Sequence, residues 1–207
     1  MCTDKNGELL LPHSGYRQLK TFQLARLIYD ITVHFVELYI PADSRTRDQM
    51  TQAARSGVQN IAEGSVDAAT SAKLELNLYN VARASLEELR LDYEDYLRQH
   101  NETVWRKNTP LYSEFVSRRI ADKAGFRAFI QEAETAVPAA QIRTVPYKSV
   151  LVANATLLLI DTTVYFLKRQ IRNKANKFLH DGGFSERMCR MRRNKNNPES
   201  GNTDVYG

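Results

Sequence analysis

Apolar positions recur three and four residues apart over four long stretches of this chain, the spacing of a buried face on a helix. The first stretch predicts a helix from about Tyr16 to Ile40, stopped by Pro41. It carries two apolar stripes: Phe22, Ala25, Tyr29, Val33, Val36 and Ile40, and Leu24, Leu27, Ile31, Phe35 and Leu38. At about 100° per residue the two stripes lie on separate sides. A helix that is apolar on two sides needs cover on both, one from its own bundle and one from another helix or a second subunit. The second stretch, about Arg47 to Glu63, is built of small residues: Ala53, Ala54, Ser56, Gly57 and Ala62. A glycine inside a helix costs about 1 kcal/mol against alanine, so Gly57 predicts the close approach of another helix. Asp48 or Thr46 is the expected cap, and Glu63-Gly64 reads as a C-terminal stop.

The third helix is expected from about Ser71 to Gln99, with Leu74, Leu78, Val81, Ala82, Ser85, Leu86 and Leu89 as its stripe. Its carboxylates Glu87, Glu88, Asp92, Glu94 and Asp95 meet no histidine on a common face and read as solvated. Residues 101–146 are less regular and are divided by Pro110, Pro138 and Pro146. Short helices are expected at Leu111 to Arg119 and Lys123 to Thr135. Trp105, the sole tryptophan, reads as a core anchor rather than a base-stacking platform, because no second aromatic accompanies it. The last helix is expected from about Tyr147 to Leu179. Its seam is Val150, Ala153, Leu157, Ile160, Val164, Leu167, Ile171, Ala175 and Phe178. Asn154 and Asp161 fall between that seam and the flank Leu151, Leu158, Tyr165; a lone buried carboxylate is costly, so Asp161 is expected to be paired or hydrogen-bonded.

The run Gln49 to Gly64, above all Asn60-Ile61-Ala62-Glu63-Gly64, resembles the signature of the bacterial four helix bundle proteins. That family includes the proteins encoded in intervening sequences of 23S ribosomal RNA genes and the accessory proteins of diversity-generating retroelements. Asn80 to Leu89 resembles the family's next helix. Ala153-Asn154-Ala155, Arg169-Gln170 and Phe184 to Met188 resemble its longer variant, the four helix bundle suffix type. The resemblance covers roughly Tyr16 to Arg193. It implies an all-α antiparallel four-helix bundle, with additional short helices and a C-terminal extension, that assembles as a homo-oligomer; relatives of this kind form pentamers. The expected organisation is a leader at 1–15, a bundle at 16–181 with the irregular insert at about 101–146, and a basic tail at 182–207 with a largely disordered composition.

Charge sharpens this picture. The net charge of +5 is uneven: residues 1–100 sum to −3 and residues 101–207 to +8. Lys168 to Lys195 matches that +8 alone, with ten basic side chains against Asp181 and Glu186. Such asymmetry points to an anionic partner or a solvated basic tail. The candidate nucleic-acid contacts are Arg169, Arg172, Lys174, Lys177, Arg187, Arg190, Arg192, Arg193 and Lys195, with Arg55 added. The retroelement accessory proteins bind nucleic acid and a reverse transcriptase, which the resemblance carries over as an expectation. Two cysteines, Cys2 and Cys189, suit a reducing, cytoplasmic compartment better than a disulfide framework. No basic-then-apolar signal opens the chain, and the run Leu157 to Ile160 is far too short to span a bilayer.

The pattern contains no P-loop, dinucleotide glycine motif, zinc spacing or nucleophile elbow. Asp30, His34 and Glu37 share a helix face, but the paired Glu-x-x-His helices of a di-iron bundle are missing. An ion-pair ladder with Arg26 and Asp30 at i,i+4 is the expected reading. The sequence therefore predicts a non-enzymatic, cofactor-free, oligomeric protein that binds RNA or DNA. The alternative is a scaffold that binds a protein partner.

Overall fold

A computed structural model describes residues 15–67, 71–136 and 145–181. The leader and the basic tail, with Gly182-Gly183, Arg187, Arg190, Arg192, Arg193 and Lys195, lie outside the described residues. A 3-10 turn at Gly15–Gln18 precedes α1 (Lys20–Tyr39), α2 (Arg45–Asp67), α3 (Ala72–Gln99), α4 (Pro110–Arg118), α5 (Lys123–Thr135) and α6 (Tyr147–Asp181). Among the described residues the chain is all-helical, without strands.

Local chemistry sets the helix ends. The Ser44 hydroxyl accepts from the Thr46 amide at 3.3 Å, so the cap of α2 lies earlier than Thr46 or Asp48. Ser71 caps α3 through the Leu74 amide, and Asp122 caps α5 through the Gly125 amide. Asn101 and Arg119, at φ 57° and 49°, take the left-handed conformation that follows many helix ends.

The four long helices pack in a cycle: α1 on α2, α2 on α3, α3 on α6 and α6 back on α1. Residue numbers rise along α3 as they fall along α6, since Glu75 meets Lys174 and the Tyr96 hydroxyl donates to Ser149 Oγ at 2.9 Å. Phe35 of α1 fills the space between the rings of Tyr93 and Tyr96, both 4.9 Å away. Tyr93 donates to the buried Thr32 hydroxyl at 3.1 Å, so each ring brings its polar end into the core satisfied.

Both stripes of the first helix are covered largely from within the chain. Phe22, Ala25 and Val36 of one stripe, and Leu24, Leu27 and Phe35 of the other, are all buried. The cycle of helices supplies both covers, so a second subunit is not required there. Only Leu38 of the two stripes is exposed, with Tyr29, Ile31, Val33 and Ile40 half-buried.

Gly64 does not stop α2, which continues to Asp67. The glycine is buried, and a Cβ there would lie 3.0 Å from the Tyr79 ring and 3.3 Å from the Glu75 carbonyl oxygen. It marks a close helix contact, as Gly57 does against Leu86. Next to Gly57, the Ser56 and Ser85 hydroxyls meet at 2.9 Å. Of the stripe expected on α3, Ala82, Ser85, Leu86 and Leu89 are buried and Leu78 is half-buried, while Leu74 and Val81 are exposed; Tyr79, Tyr93, Tyr96 and Leu97 join the buried face.

The first half of α6 is buried almost all round, as a helix enclosed by others must be. Its long apolar stretch has the length and composition to cross a membrane, but most of that stretch is buried within the fold. Thr156 and Thr163 satisfy their hydroxyls on the carbonyls of Val152 and Leu159. Asn154, 1% exposed, accepts from the Trp105 amide at 2.7 Å and donates to the Thr103 carbonyl, clamping the segment before α4 onto α6. Trp105 packs half-buried against Phe129. Asp161, expected to be paired or hydrogen-bonded beside the seam, stands on the exposed side of α6, where burial raises its carboxyl pKa and the charges of Arg90 and Lys168 act in the opposite direction.

The carboxylates of α3 are not uniformly solvated. Arg90 grips Glu87 at 2.8 Å and Glu94 at 2.7 Å. Asp92 is half-buried, its Oδ2 has no hydrogen-bond partner, and burial beside Glu88 and Asp95 pushes its carboxyl up to about 6. The folded state thus takes up this proton before the unfolded chain does. Above about pH 6 Asp92 is ionised in both states and the fold carries the cost; as pH falls toward the unfolded value near 4 the cost is relieved. Asp92→Asn is expected to stabilise the protein by about 1 kcal/mol at pH 8, discounted for partial exposure. The gain over wild type should vanish below about pH 4; urea titrations at the two pH values measure it.

The two glycines make a paired test. Gly64→Ala meets a locked ring and a backbone oxygen, and should cost about 1–2 kcal/mol after the helix-propensity gain is subtracted. Gly57→Ala meets only the Leu86 side chain, and should stay within about 1 kcal/mol of wild type in the same denaturation assay.

Candidate nucleic-acid interface

Four of the candidate basic residues lie on the last turns of α6. Arg169 and Arg172 are exposed and Lys174 is half-exposed; the Lys177 side chain lies outside the described set. Helix α6 returns past the start of α1, and the two form a shallow cleft of about 330 Å³. Leu19, Lys20 and Thr21 line it from α1, and Phe166, Arg169, Gln170, Asn173 and Lys174 from α6. The Thr21 hydroxyl donates to Gln170 Oε1 at 3.0 Å, joining positions 149 residues apart.

Beneath the cleft lies a buried polar cluster. Glu75 is only 3% exposed, and Lys174 Nζ lies 2.7 Å from its Oε1. That contact pairs the charges without the alignment of a hydrogen bond, so Oε1 has no other partner. Tyr79, also buried, turns its hydroxyl among Gln170, Ser65 and Glu75. Burial, reinforced by the Glu75 charge, pushes this phenol far above its ordinary range, so it is a neutral donor. Residues of all four long helices therefore converge at this end. Lys174 belongs to the foundation of the cleft, because its charge is committed to Glu75.

The free positive charge is carried by Lys20 and Arg169, neither of which has an ion-pair partner among the described residues. The start of α1 adds to it. Its N-cap, Leu19, makes no side-chain cap hydrogen bond, and the positive end of the helix dipole lies there. Two exposed cations and the polar side chain of Asn173, beside the start of α1, suit an oxyanion such as a phosphate.

The structure gathers the sequence candidates only in part. Arg169 and Lys174 line the cleft, while Arg172 is exposed outside its lining. Arg55 is exposed on α2, which packs against α1 and α3 rather than α6, and is not brought to the cleft. Lys168 leans toward Glu87 at 3.8 Å. Sequence reasoning missed Lys20, Thr21, Glu75 and Tyr79. Their grouping depends on the return of α6 past α1 and α3, and the one local signal was a glutamate in the apolar register of α3.

The histidine edge of α1 differs as well. Asp30 pairs with Lys123 of α5 at 2.8 Å instead of Arg26, and His34 Nδ1 lies 3.6 Å from Glu37 with both exposed. No group of three metal-ligating side chains occurs among the described residues. In comparisons with known proteins, no family model, curated protein or solved structure matches this chain.

Removing Lys174 strands a buried carboxylate. Lys174→Ala should cost about 2–3 kcal/mol, below the roughly 3–5 kcal/mol of a fully buried pair because the lysine is half-exposed. Arg169→Ala should change stability by less than about 0.5 kcal/mol. Adding Glu75→Leu to a Lys174→Met variant should recover most of the loss in urea denaturation.

Proposed function

We propose that this chain is a non-enzymatic helical protein that binds the phosphate backbone of RNA or DNA across the α1–α6 cleft. The observation that carries the reading is the pair of uncommitted cations, Lys20 and Arg169, facing one cleft beside an uncapped helix start. Sequence strengthens it, because Lys168 to Lys195 concentrates the excess positive charge of the chain from this point onward. Arg172, Lys177, Arg187, Arg190, Arg192, Arg193 and Lys195 extend the basic surface in this reading. Arg55 is a separate contact.

The closed cycle of α1, α2, α3 and α6 supports an antiparallel four-helix bundle of the kind its sequence resembles. The exposed Leu74 and Val81, one heptad apart on α3 with the half-buried Leu78 between, support a seam against a second copy. In a pentamer or other closed ring each cleft is repeated, which turns weak single contacts into useful avidity. The cysteine usage supports a cytoplasmic setting.

Fluorescence anisotropy with labelled mixed-sequence RNA and duplex DNA tests the proposal. Affinity should fall with salt, log K dropping about 0.9 per neutralised phosphate on the duplex per log unit of salt. The double variant Lys20→Glu, Arg169→Glu should bind on the order of tenfold more weakly at low salt. Binding that is absent, or flat with salt, removes the proposal. Light scattering after size exclusion, with and without nuclease, reads the assembly. An oligomer carrying nuclease-sensitive absorbance supports the ring, and a clean oligomer turns the reading to a protein scaffold.

A further inference from the structure

A second depression lies toward the other end of α1, between α1, α5 and the start of α6. Its volume is about 680 Å³, within the roughly 300–1,000 Å³ typical of small-molecule sites. The apolar surface comes from Ile31, Phe35 and Leu38 of α1, Phe126 and Ile130 of α5, and Val152 of α6. Leu38 is 59% exposed at the rim, and Ile31 is half-buried, so apolar surface is left open here that the rest of the fold covers.

Two bridges stand at the ends of this groove. Lys123 at the start of α5 pairs with Asp30 of α1 at 2.8 Å, and Glu134 at its end pairs with Lys148 of α6 at 3.0 Å. With α5 tied at both ends, its middle faces α1 across the opening. From Asp30 to Tyr39 the wall is about 14 Å long by helix rise.

The charges around the opening are not balanced. Asp30, Lys123 and Lys148 are committed to the bridges, and His34 leans toward Glu37. Arg127, exposed one turn after Lys123 and lining the same groove, has no ion-pair partner among the described residues. An arginine beside an apolar trough offers a fork for one carboxylate, with greasy surface leading away from it.

We propose that this groove binds a free anionic amphiphile, its carboxylate on Arg127 and its apolar body along Ile31, Phe35, Leu38, Ile130 and Val152. A single uncommitted cation matches a single-headed ligand, and the volume of the open groove matches a small molecule. The site is independent of the nucleic-acid reading, since it shares no residue with the α1–α6 cleft.

Isothermal titration of the full chain with dodecanoate, below its micelle-forming concentration, tests the site. The expected result is saturable binding at one site per chain. Arg127→Gln should weaken it about tenfold or more, and Leu38→Glu, at an exposed rim position, should abolish it with the circular dichroism spectrum unchanged. Arg169→Glu should leave it intact. Absence of saturable binding overturns the proposal. So does binding that survives both groove variants, is lost in Arg169→Glu, or is matched by dodecanol. Sedimentation with phosphatidylglycerol vesicles separates the sources. Vesicle binding without monomer binding would identify a membrane surface as the anion and overturn the free-ligand site.

Discussion

The close approach of α2 and α3 is the constraint on which the other contacts depend. It exists because Gly57 and Gly64 present no side chain where Leu86 and Tyr79 must lie. Small neighbours, Ala53 and Ala54, keep the contact tight along its length. Once Tyr79 is seated against Gly64, its hydroxyl lies among Ser65, Glu75 and Gln170. Glu75 then sits where only an oppositely charged side chain on α6 makes its burial tolerable, and Lys174 provides that charge. A backbone contact between two helices thereby fixes the register of a third. That third helix carries Arg169 to the start of α1.

The periodic stretches of the sequence marked the helices well because each long helix has a continuous buried face. Helix α3 shows the limit. Leu74, Leu78 and Val81 looked like the start of its core stripe, yet only the later members Ala82, Ser85, Leu86 and Leu89 are buried, joined by tyrosines at 79, 93 and 96. Tyrosine reads as ambiguous in a hydropathy pattern because its ring favours the core and its hydroxyl needs a partner. The partners, Thr32 and Ser149, lie 61 and 53 residues away from their tyrosines. Gly64 was misread for a related reason. A glycine after a charged residue has the local look of a helix stop, and only the facing Tyr79 ring reveals a packing role. The candidate site was legible as charge but not as a place. Arg169 and Lys174 stood out in the basic run, whereas the pairing that separates a structural Lys174 from an available Arg169 depends on Glu75 of a distant helix.

The polar groups of the interior are arranged in two distinct ways. Toward the Phe35 end, neutral hydroxyls satisfy one another between helices, and the aromatic rings supply the bulk. Toward the Tyr79 end an ionised pair joins the neutral groups, and one member of that pair reaches the surface. Neutral networks hold helices together with little dependence on salt or pH. The ionic end is open to screening by salt where Lys174 reaches the surface, and it is also the end where basic side chains gather.

The Thr21–Gln170 hydrogen bond joins the first and last helices across almost the whole described chain. Its sequence separation has a temporal consequence during synthesis. At roughly 5–20 residues per second, a ribosome needs on the order of 4–16 s to make the eighty or so residues between the end of α3 and the end of α6. Throughout that interval α1, α2 and α3 can pair locally, while the faces they present to α6 wait uncovered. A nascent chain that ends before α6 therefore exposes the apolar faces of α1 and α3, and the arrival of α6 is the step that covers them.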